Sequence, residues 1–297
     1  MNIAGNLENA AFYFPERSAV IDGDREFTYA ALNRESDQIA AALRAQGINA
    51  GDHLALCAPN SYEWLAFYYG ALKAGAVAVT FSHLLKGSEL ARIMDDCQPR
   101  MVFTADEKLE DLKNPRSRGY LGLVVCKNGD VSYVHLKTKG SKDFTTLERG
   151  RQDIAAILYT GGTTGTPKGA LLSHESIRFS THNVAYYERA TEQDAALCFL
   201  PLNHVFAQIH IMHSTFYSGG TLVLQPAFDL DRVLKAIGEH QITKFYAVPT
   251  VYIRLLDLED LSDRLASVRY CFSAAASMAK EVVREWKSRT GLAIHEA

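Results

Sequence analysis

The sequence lacks an excess of charge of either sign. Its 297 residues include 31 lysines and arginines against 34 aspartates and glutamates, which leaves a net charge of −3. Chains that attract nucleic acid or anionic membranes as a whole carry a clear basic excess. The charge balance therefore predicts no nucleic-acid partner, and the 47% hydrophobic content argues against a disordered chain.

Cysteine is also scarce and scattered. The five cysteines are widely separated and form no C-x-x-C pair: Cys57, Cys97, Cys126, Cys198 and Cys271. An odd number at such spacings, without a C-x-x-C pair, suggests neither a disulfide framework nor a zinc site. Free thiols in a reducing compartment are expected, which predicts a cytoplasmic protein.

Long uninterrupted apolar runs are missing too. The first 18 residues show no basic region followed by an apolar segment, so we expect no signal peptide. The most apolar window, WLAFYYGALKAGAVAVTF, contains Lys73 and two glycines, Gly70 and Gly75. It predicts a buried helix that leads into a strand, and no integral membrane segment.

The chain instead shows helical and strand patterns in alternation. Helical spacing in FTYAALNRESDQIAAALRAQG, SYEWLAFYYGALKAG and GSELARIMDDCQ alternates with the apolar runs HLALC, AVAVTF and MVFTA. This order predicts an α/β fold of parallel sheets flanked by helices. We expect a first α/β subdomain at 1–105, a variable surface segment at 106–152 and a second α/β subdomain at 153–297.

A loop rich in glycine and threonine, in LYTGGTTGTPKGAL, follows the apolar run DIAAILYT. A helix is predicted to begin at Ser173, so the order is strand, loop and helix, in which backbone N–H groups converge on an anion. Threonine hydroxyls and Lys168 would add donors and charge for phosphate oxygens. Because Lys168 lies between Pro167 and Gly169, the loop is not a Walker A motif. Its glycine spacing also differs from G-x-G-x-x-G. The competing interpretation is a glycine-rich surface turn.

TGGTTGTPKG resembles the signature loop of the adenylate-forming superfamily, which includes acyl- and aryl-CoA synthetases, luciferase-type enzymes and peptide-synthetase adenylation domains. LKAGAVAV is similar to the second family motif, with Thr80 where a proline often stands, and LPLNHVFA is similar to the Pro-x-x-His motif of the CoA-ligase branch. SGGTLVLQPAFDLDRVLKAI and AVPTVYIRLL also fit in order. The resemblance covers essentially the whole chain and implies the large N-terminal domain of these enzymes.

The resemblance implies activation of a carboxylic acid with ATP and magnesium, followed by transfer to coenzyme A. An acyl-adenylate and pyrophosphate form first, and the thiol then displaces AMP. Lys168 and His204 are the implied catalytic residues, and magnesium is expected to arrive with ATP near Thr164, with no certain protein ligand. The implied phosphate-binding residues are Thr160, Gly161, Gly162, Thr163, Thr164, Gly165, Thr166, Pro167 and Lys168.

His204 is expected near the acyl carboxylate, with Val205 and Phe206 lining the acyl side. The alternative is a core histidine that hydrogen-bonds a backbone carbonyl. His210 and His213 have the i, i+3 spacing of a metal pair, but no third ligand is apparent, so we expect no metal there.

The segment SAAASM is similar to the family segment Ser-Gly-Ala-Ala-Pro-Leu, whose backbone lies against adenine. Ala274 replaces the glycine and Ser277 replaces the proline. Adenine contact is therefore expected at Ala274, Ala275 and Ala276, and tight packing at a strand end is the alternative.

The acid is less closely defined. Gly161-Gly162 and the His-Val-Phe segment are more similar to fatty-acid–CoA ligases than to peptide-synthetase domains, whose acidic substrate-binding residue is replaced by Asn203-His204. An aryl-acid–CoA ligase, or a non-catalytic protein that binds nucleotide or acyl groups, remains an alternative.

The resemblance breaks off at His295-Glu296-Ala297. In the family, a Tyr-Gly-x-Thr-Glu segment and a mobile C-terminal domain with a catalytic lysine follow. We therefore expect a ligase as the parent protein and little or no activity from these 297 residues alone. Neither chain length nor composition indicates whether the protein is a monomer or an oligomer.

Overall fold

The computed structural model describes residues 1–113, 122–160 and 167–296. Two sheets with helices against their faces form the fold. The strands are β1 Ser18–Asp22, β2 Arg25–Thr28, β3 His53–Cys57, β4 Val77–Thr80, β5 Met101–Thr104, β6 Leu123–Val125, β7 Ile154–Thr160, β8 Lys168–Ser173, β9 Ala195–Cys198, β10 Thr221–Leu224, β11 Lys244–Ala247, β12 Tyr270–Ser273 and β13 Ile294–Glu296.

Helices connect most of these strands. They are α1 Gly5–Tyr13, α2 Tyr29–Ala45, α3 Tyr62–Lys73, α4 Gly87–Cys97, α5 Tyr133–Lys139, α6 His174–Tyr187, α7 Ser214–Ser218, α8 Leu230–Glu239, α9 Pro249–Leu256, α10 Leu261–Arg264 and α11 Lys280–Thr290. A 3-10 turn covers Asp106–Lys108, and a π-helix at Phe206–His213 runs directly into α7.

The sheets confirm the predicted α/β class. One has the order β6-β5-β3-β4-β7-β8 and the other β13-β12-β11-β9-β10-β1-β2. Neighbouring strands are parallel except in the pairs β1–β2 and β7–β8. Because parallel neighbours end at the same edge, each sheet has a carboxyl edge at which the loops after its parallel strands gather.

The sheets cross the predicted subdomain boundaries. β1 and β2 lie within 1–105, yet they extend the seven-stranded sheet through pairing of Val20 with Leu222. β7 and β8 follow residue 153, yet they extend the six-stranded sheet through pairing of Ala78 with Ala156. The described part of 106–152 contributes edge strand β6 and helix α5. Periodicity along the chain reports strand character but not the choice of partner.

Several helix starts were predicted correctly because their caps are local. The Ser61 hydroxyl accepts a hydrogen bond from the Trp64 N–H at 3.2 Å, and Ser173 accepts one from Ser176 at 3.1 Å. The most apolar window is the buried helix α3 leading into β4, as predicted. Its Lys73 ammonium is fully buried and lies 2.6 Å from the Asp37 carboxylate. Within the described ranges, no helix combines the length and apolarity needed to cross a membrane.

The predicted order of strand, loop and helix around the glycine loop is wrong. Strand β8 intervenes between the loop and α6, and it pairs antiparallel with β7 from Thr160–Lys168 to Ile154–Ser173. The seven residues of β7 span about 20 Å. The N-terminus of α6 therefore lies at the far end of the hairpin and does not supply its dipole to the loop.

Candidate functional site

The β7–β8 hairpin presents Thr160 and Lys168, which we call the hairpin mouth. The two residues are cross-strand partners and both are exposed. Gly161, Gly162, Thr163, Thr164, Gly165 and Thr166 lie outside the described residues, as does the expected place of magnesium near Thr164. The antiparallel pairing fixes both ends of the loop whose residues were predicted to bind phosphate.

Gly169 allows the two strands of the hairpin to approach closely. A Cβ atom at this position would lie 2.8 Å from the Ile157 Cγ2 atom and 3.2 Å from the Tyr159 ring. The Tyr159 hydroxyl donates a hydrogen bond to the Asp96 carboxylate, which holds the ring in place. The glycine after Lys168 is thus required by packing.

His204 lies in the loop between β9 and the π-helix and is exposed. Its backbone N–H donates to the Pro201 carbonyl at 2.9 Å, and its own carbonyl accepts from the Gln208 N–H at 2.9 Å. The alternative of a buried core histidine is therefore wrong. Val205 is 51% exposed, whereas Phe206 is 8% exposed and packs into the core.

Asn60, which the sequence analysis missed, joins the carboxyl edges of the two sheets. It follows β3 of the six-stranded sheet and is 7% exposed. Its Nδ2 group donates to the Leu200 carbonyl at 2.9 Å and to the Gln225 carbonyl at 3.1 Å. Its Oδ1 atom accepts from the Leu202 N–H at 2.9 Å. A polar residue three positions after an apolar strand was the signal that could have identified it.

Thr80, at the position where the family often has proline, makes a second connection. Its hydroxyl donates to the Asn203 carbonyl at 3.5 Å and accepts from the Gln208 Nε2 group at 3.2 Å. Thr80 also pairs with Leu158, two residues before Thr160. The segment that carries His204 therefore lies at the same edge of the six-stranded sheet as the hairpin mouth.

Ala274, Ala275 and Ala276 follow β12 at the carboxyl edge of the seven-stranded sheet. Ala275 has φ of +76°, a left-handed conformation that is unfavourable for alanine. The Met278 N–H beyond it donates to a Glu296 carboxylate oxygen at 2.9 Å. The turn is thus tied to β13, and backbone strain at such a position is typical of functional sites.

Phe206 and Phe272 connect the predicted acyl and adenine segments. Phe272 precedes Ala274 by two residues, and its ring centroid lies 5.8 Å from that of Phe206. The hairpin mouth, the His204 segment and the alanine turn therefore gather at the adjoining carboxyl edges of the sheets.

His210 and His213, the pair with metal-like spacing, point to different partners. The His213 Nε2 atom lies 3.0 Å from the Tyr68 hydroxyl, and burial lowers the pKa of His213 to about 3. The His210 Nε2 atom lies 2.6 Å from a Glu188 carboxylate oxygen. Across the parts of the chain described, no cluster of three or more His, Cys, Asp or Glu side chains could hold a metal ion.

Comparisons of the sequence and the structure with known proteins lead to the same family. A family model described as AMP-binding enzyme matches residues 7–297. A long-chain-fatty-acid–CoA ligase of Bacillus subtilis is 27% identical, with 96% of this chain and 57% of the relative covered. 4-Coumarate–CoA ligase 4 of Arabidopsis thaliana is 29% identical, with 89% of this chain and 50% of the relative covered.

A solved structure of the anthranilate CoA ligase AuaEII with anthranoyl-AMP superimposes with a TM-score of 0.93. It is 28% identical and the match covers 99% of this chain and 59% of that one. The present chain thus spans between half and about three fifths of the length of these proteins. The motifs, the fold and the match over residues 7–297 agree that the chain belongs to the AMP-binding enzyme family.

Proposed function

We propose that the protein activates a carboxylic acid with ATP to an acyl-adenylate and then transfers the acyl group to coenzyme A, releasing AMP and pyrophosphate. The observation that carries this proposal is the convergence of the hairpin mouth, the His204 segment and the alanine turn at one place. Membership of the AMP-binding family and the names of its relatives support the same reaction.

Each part has a task that follows from the chemistry. A carboxylate is a poor acyl donor until AMP becomes its leaving group, so the protein has to align the acid with the α-phosphate and neutralise the departing pyrophosphate. Lys168, with the hydroxyls and amides of Thr160 to Lys168, would supply that positive potential. His204 would position the carboxylate, and the backbone of the alanine turn would lie against adenine. Magnesium would add charge on the phosphates.

Two classes of acid are candidates. The LPLNHVFA segment favours a fatty acid, as in the Bacillus subtilis relative. The ring contacts of Phe206 with Phe272, His210 and Tyr246 favour an aryl acid, because aromatic rings pack well edge-to-face. The plant relative and the structural neighbour act on aryl acids by name, which agrees with the second candidate.

The decisive experiment measures carboxylate-dependent pyrophosphate release from magnesium-ATP, with hydroxylamine present to trap activated acyl groups. In the complete parent enzyme, the Lys168→Ala variant is expected to slow release by roughly 10²-fold, because a preorganised charge contact to the transition state is lost. Lys235→Ala is the matched control, since Lys235 is an exposed lysine of α8 whose side chain is paired with Glu239. ATP-dependent thermal stabilisation is measured in parallel.

The outcomes separate the alternatives. An unchanged rate in Lys168→Ala would contradict the role of this lysine. ATP binding without pyrophosphate release for any acid, measured on the complete protein, would favour the non-catalytic, nucleotide-binding alternative.

A further inference from the structure

Helix α6 presents a row of exposed aromatic side chains. Phe179 is 65% exposed, Tyr186 is 70% exposed and Tyr187 is 80% exposed, and Tyr217 of the adjoining α7 is 43% exposed. We call these four residues together with His182 the aromatic face. Single exposed apolar residues are common on protein surfaces, whereas a group of them marks an interaction surface.

The aromatic face is continuous across the two helices. The ring centroid of His182 lies 6.3 Å from that of Tyr186 and 5.9 Å from that of Tyr217. The His182 Nδ1 atom lies 3.0 Å from the Tyr217 hydroxyl, and the Tyr187 ring lies 5.4 Å from that of Tyr186. Phe179 precedes His182 by three residues and therefore lies on the same side of the helix.

The area of the aromatic face fits the centre of a dimer interface. Its Phe and Tyr rings expose about 500 Å² in all, at roughly 200 Å² for a complete ring. A stable interface buries about 800 Å² on each partner and has an apolar centre with a polar rim. The flanking residues Glu175, Arg178 and Arg189 would supply that rim.

A groove between α6 and α7 can receive one of these rings. Its volume is about 200 Å³, and it is lined by His182, Ala185, Tyr186, Ala190, Tyr217 and Ser218. A cavity of about 150 Å³ is large enough to hold benzene, so a phenyl ring fits. Phe179 does not line the groove and lies one helical turn before it, so the ring must come from outside the groove.

The features of α6 are spaced equally on either side of His182. Phe179 and Ala185 each lie three residues from it, and Arg178 and Tyr186 each lie four residues from it. Glu175, in the first turn, and Arg189, just beyond the last turn, are each seven residues away. A second copy of α6 that runs antiparallel, with a two-fold axis at His182, would bring the two members of each pair together.

We propose that the protein forms a two-fold symmetric dimer through the aromatic face, with the two α6 helices antiparallel. Phe179 of one protomer enters the groove above Ala185 of its partner. Arg178 lies over the partner ring of Tyr186, and Glu175 faces Arg189, which are favourable cation–π and ionic contacts. The two-fold axis forms each contact twice.

A second copy is favoured over a membrane because the face is complementary to itself. The ring, the groove and charges of both signs lie on one face at matching distances. An anionic lipid surface would instead be met by a cluster of lysines and arginines.

Sedimentation equilibrium of the chain tests for the dimer. The mass should rise from 32.9 kDa to twice that value with concentration. A dissociation constant of roughly 1–100 µM is expected for an interface of this size. Phe179→Ala should raise this constant by roughly 30-fold or more, because a central aromatic anchor is lost. Val134→Ala is the matched control, since Val134 is an exposed apolar residue of α5 outside the aromatic face, and it should change nothing.

A cysteine on the axis tests the geometry independently. His182→Cys places two cysteines opposite each other, within the Cα separation of about 7 Å that a disulfide allows. The five native cysteines are all buried and will not compete. In Glu175→Cys, the matched control, the two new thiols would be about 20 Å apart, at 1.5 Å per residue along each helix. Mild oxidation should therefore cross-link His182→Cys and leave Glu175→Cys uncoupled.

Three results would overturn the dimer and leave the ligase proposal untouched. One is a chain that stays at the monomer mass well above a concentration of about 100 µM. Another is a dimer that Phe179→Ala does not weaken, or that Glu175→Cys cross-links as readily as His182→Cys, since a different face would then join the copies. The third is a monomer that binds lipid vesicles and loses that binding in Phe179→Ala, since the face would then contact a membrane.

Discussion

Replacement of Asn60 by alanine tests the connection between the two sheets. The Asn60 side chain makes three hydrogen bonds, to the Leu200 and Gln225 carbonyls and from the Leu202 N–H. Each contributes about 1 kcal/mol net, so Asn60→Ala should lower the free energy of unfolding by about 3 kcal/mol. That is a large part of the 5–15 kcal/mol that holds a typical domain folded.

Urea unfolding followed by tryptophan fluorescence measures this loss. The two tryptophans, Trp64 and Trp286, are both buried and report on different clusters of the core. Asn183→Ala is the matched control, because Asn183 makes no hydrogen bond to another residue in the described ranges and lies in helix α6, where alanine is favourable. Its free energy of unfolding should change by less than about 0.5 kcal/mol.

Hydrogen exchange gives a local readout of the same contact. The Leu202 amide should lose protection in Asn60→Ala, whereas the amide of Leu197 within β9 should keep it, apart from the global loss of stability. A stability loss below about 1.5 kcal/mol, the least expected for three net hydrogen bonds, or unchanged protection at Leu202 would refute the role of Asn60 in joining the edges.

Three further predictions concern the hairpin, the alanine turn and a buried histidine. Gly169→Ala should destabilise the protein by roughly 1–3 kcal/mol, because its Cβ would lie 2.8 Å from Ile157; thermal unfolding measures this. Ala275→Gly should leave stability unchanged or raise it by up to about 1 kcal/mol, since φ of +76° is unstrained in glycine; urea unfolding measures this. Burial lowers the pKa of His174 from 6.5 to about 4, so the unfolded chain takes up the proton first and stability falls as pH drops through this window. The contribution of His174 is about 2 kcal/mol between pH 6.5 and 5, and His174→Gln should remove it from the pH dependence of urea unfolding.

Each of these three predictions has a control variant or an outcome that would contradict it. Gly238→Ala introduces a Cβ with no atom within 4 Å in helix α8 and should stabilise rather than destabilise. A loss above about 1 kcal/mol in Ala275→Gly, more than the greater flexibility of glycine in the unfolded chain costs, would show that the turn is not strained. An unaltered pH dependence in His174→Gln would contradict the assignment of a buried neutral ring.

The predictions from sequence succeeded where the cause lies within a few residues. The caps at Ser61 and Ser173, the buried helix α3 and the parallel character of the sheets all follow from local spacing and side-chain chemistry. The prediction of strand, loop and helix at the glycine loop failed. The short strand β8 has only half-exposed or exposed residues, and it lacks the apolar alternation that would have identified it as a strand. Its strand character comes from pairing with β7.

The family and the α/β class were determined by the sequence alone, through the order of its motifs and the alternation of its elements. The tertiary structure alone decided that β1 and β2 join the sheet formed by the later strands and β7 and β8 the sheet formed by the earlier ones. It also decided that Asn60 joins their carboxyl edges and that Glu188 and Lys244 lie behind His210. These features depend on residues tens to hundreds of positions apart. A pattern read along one segment contains no information about which distant segment will bury it.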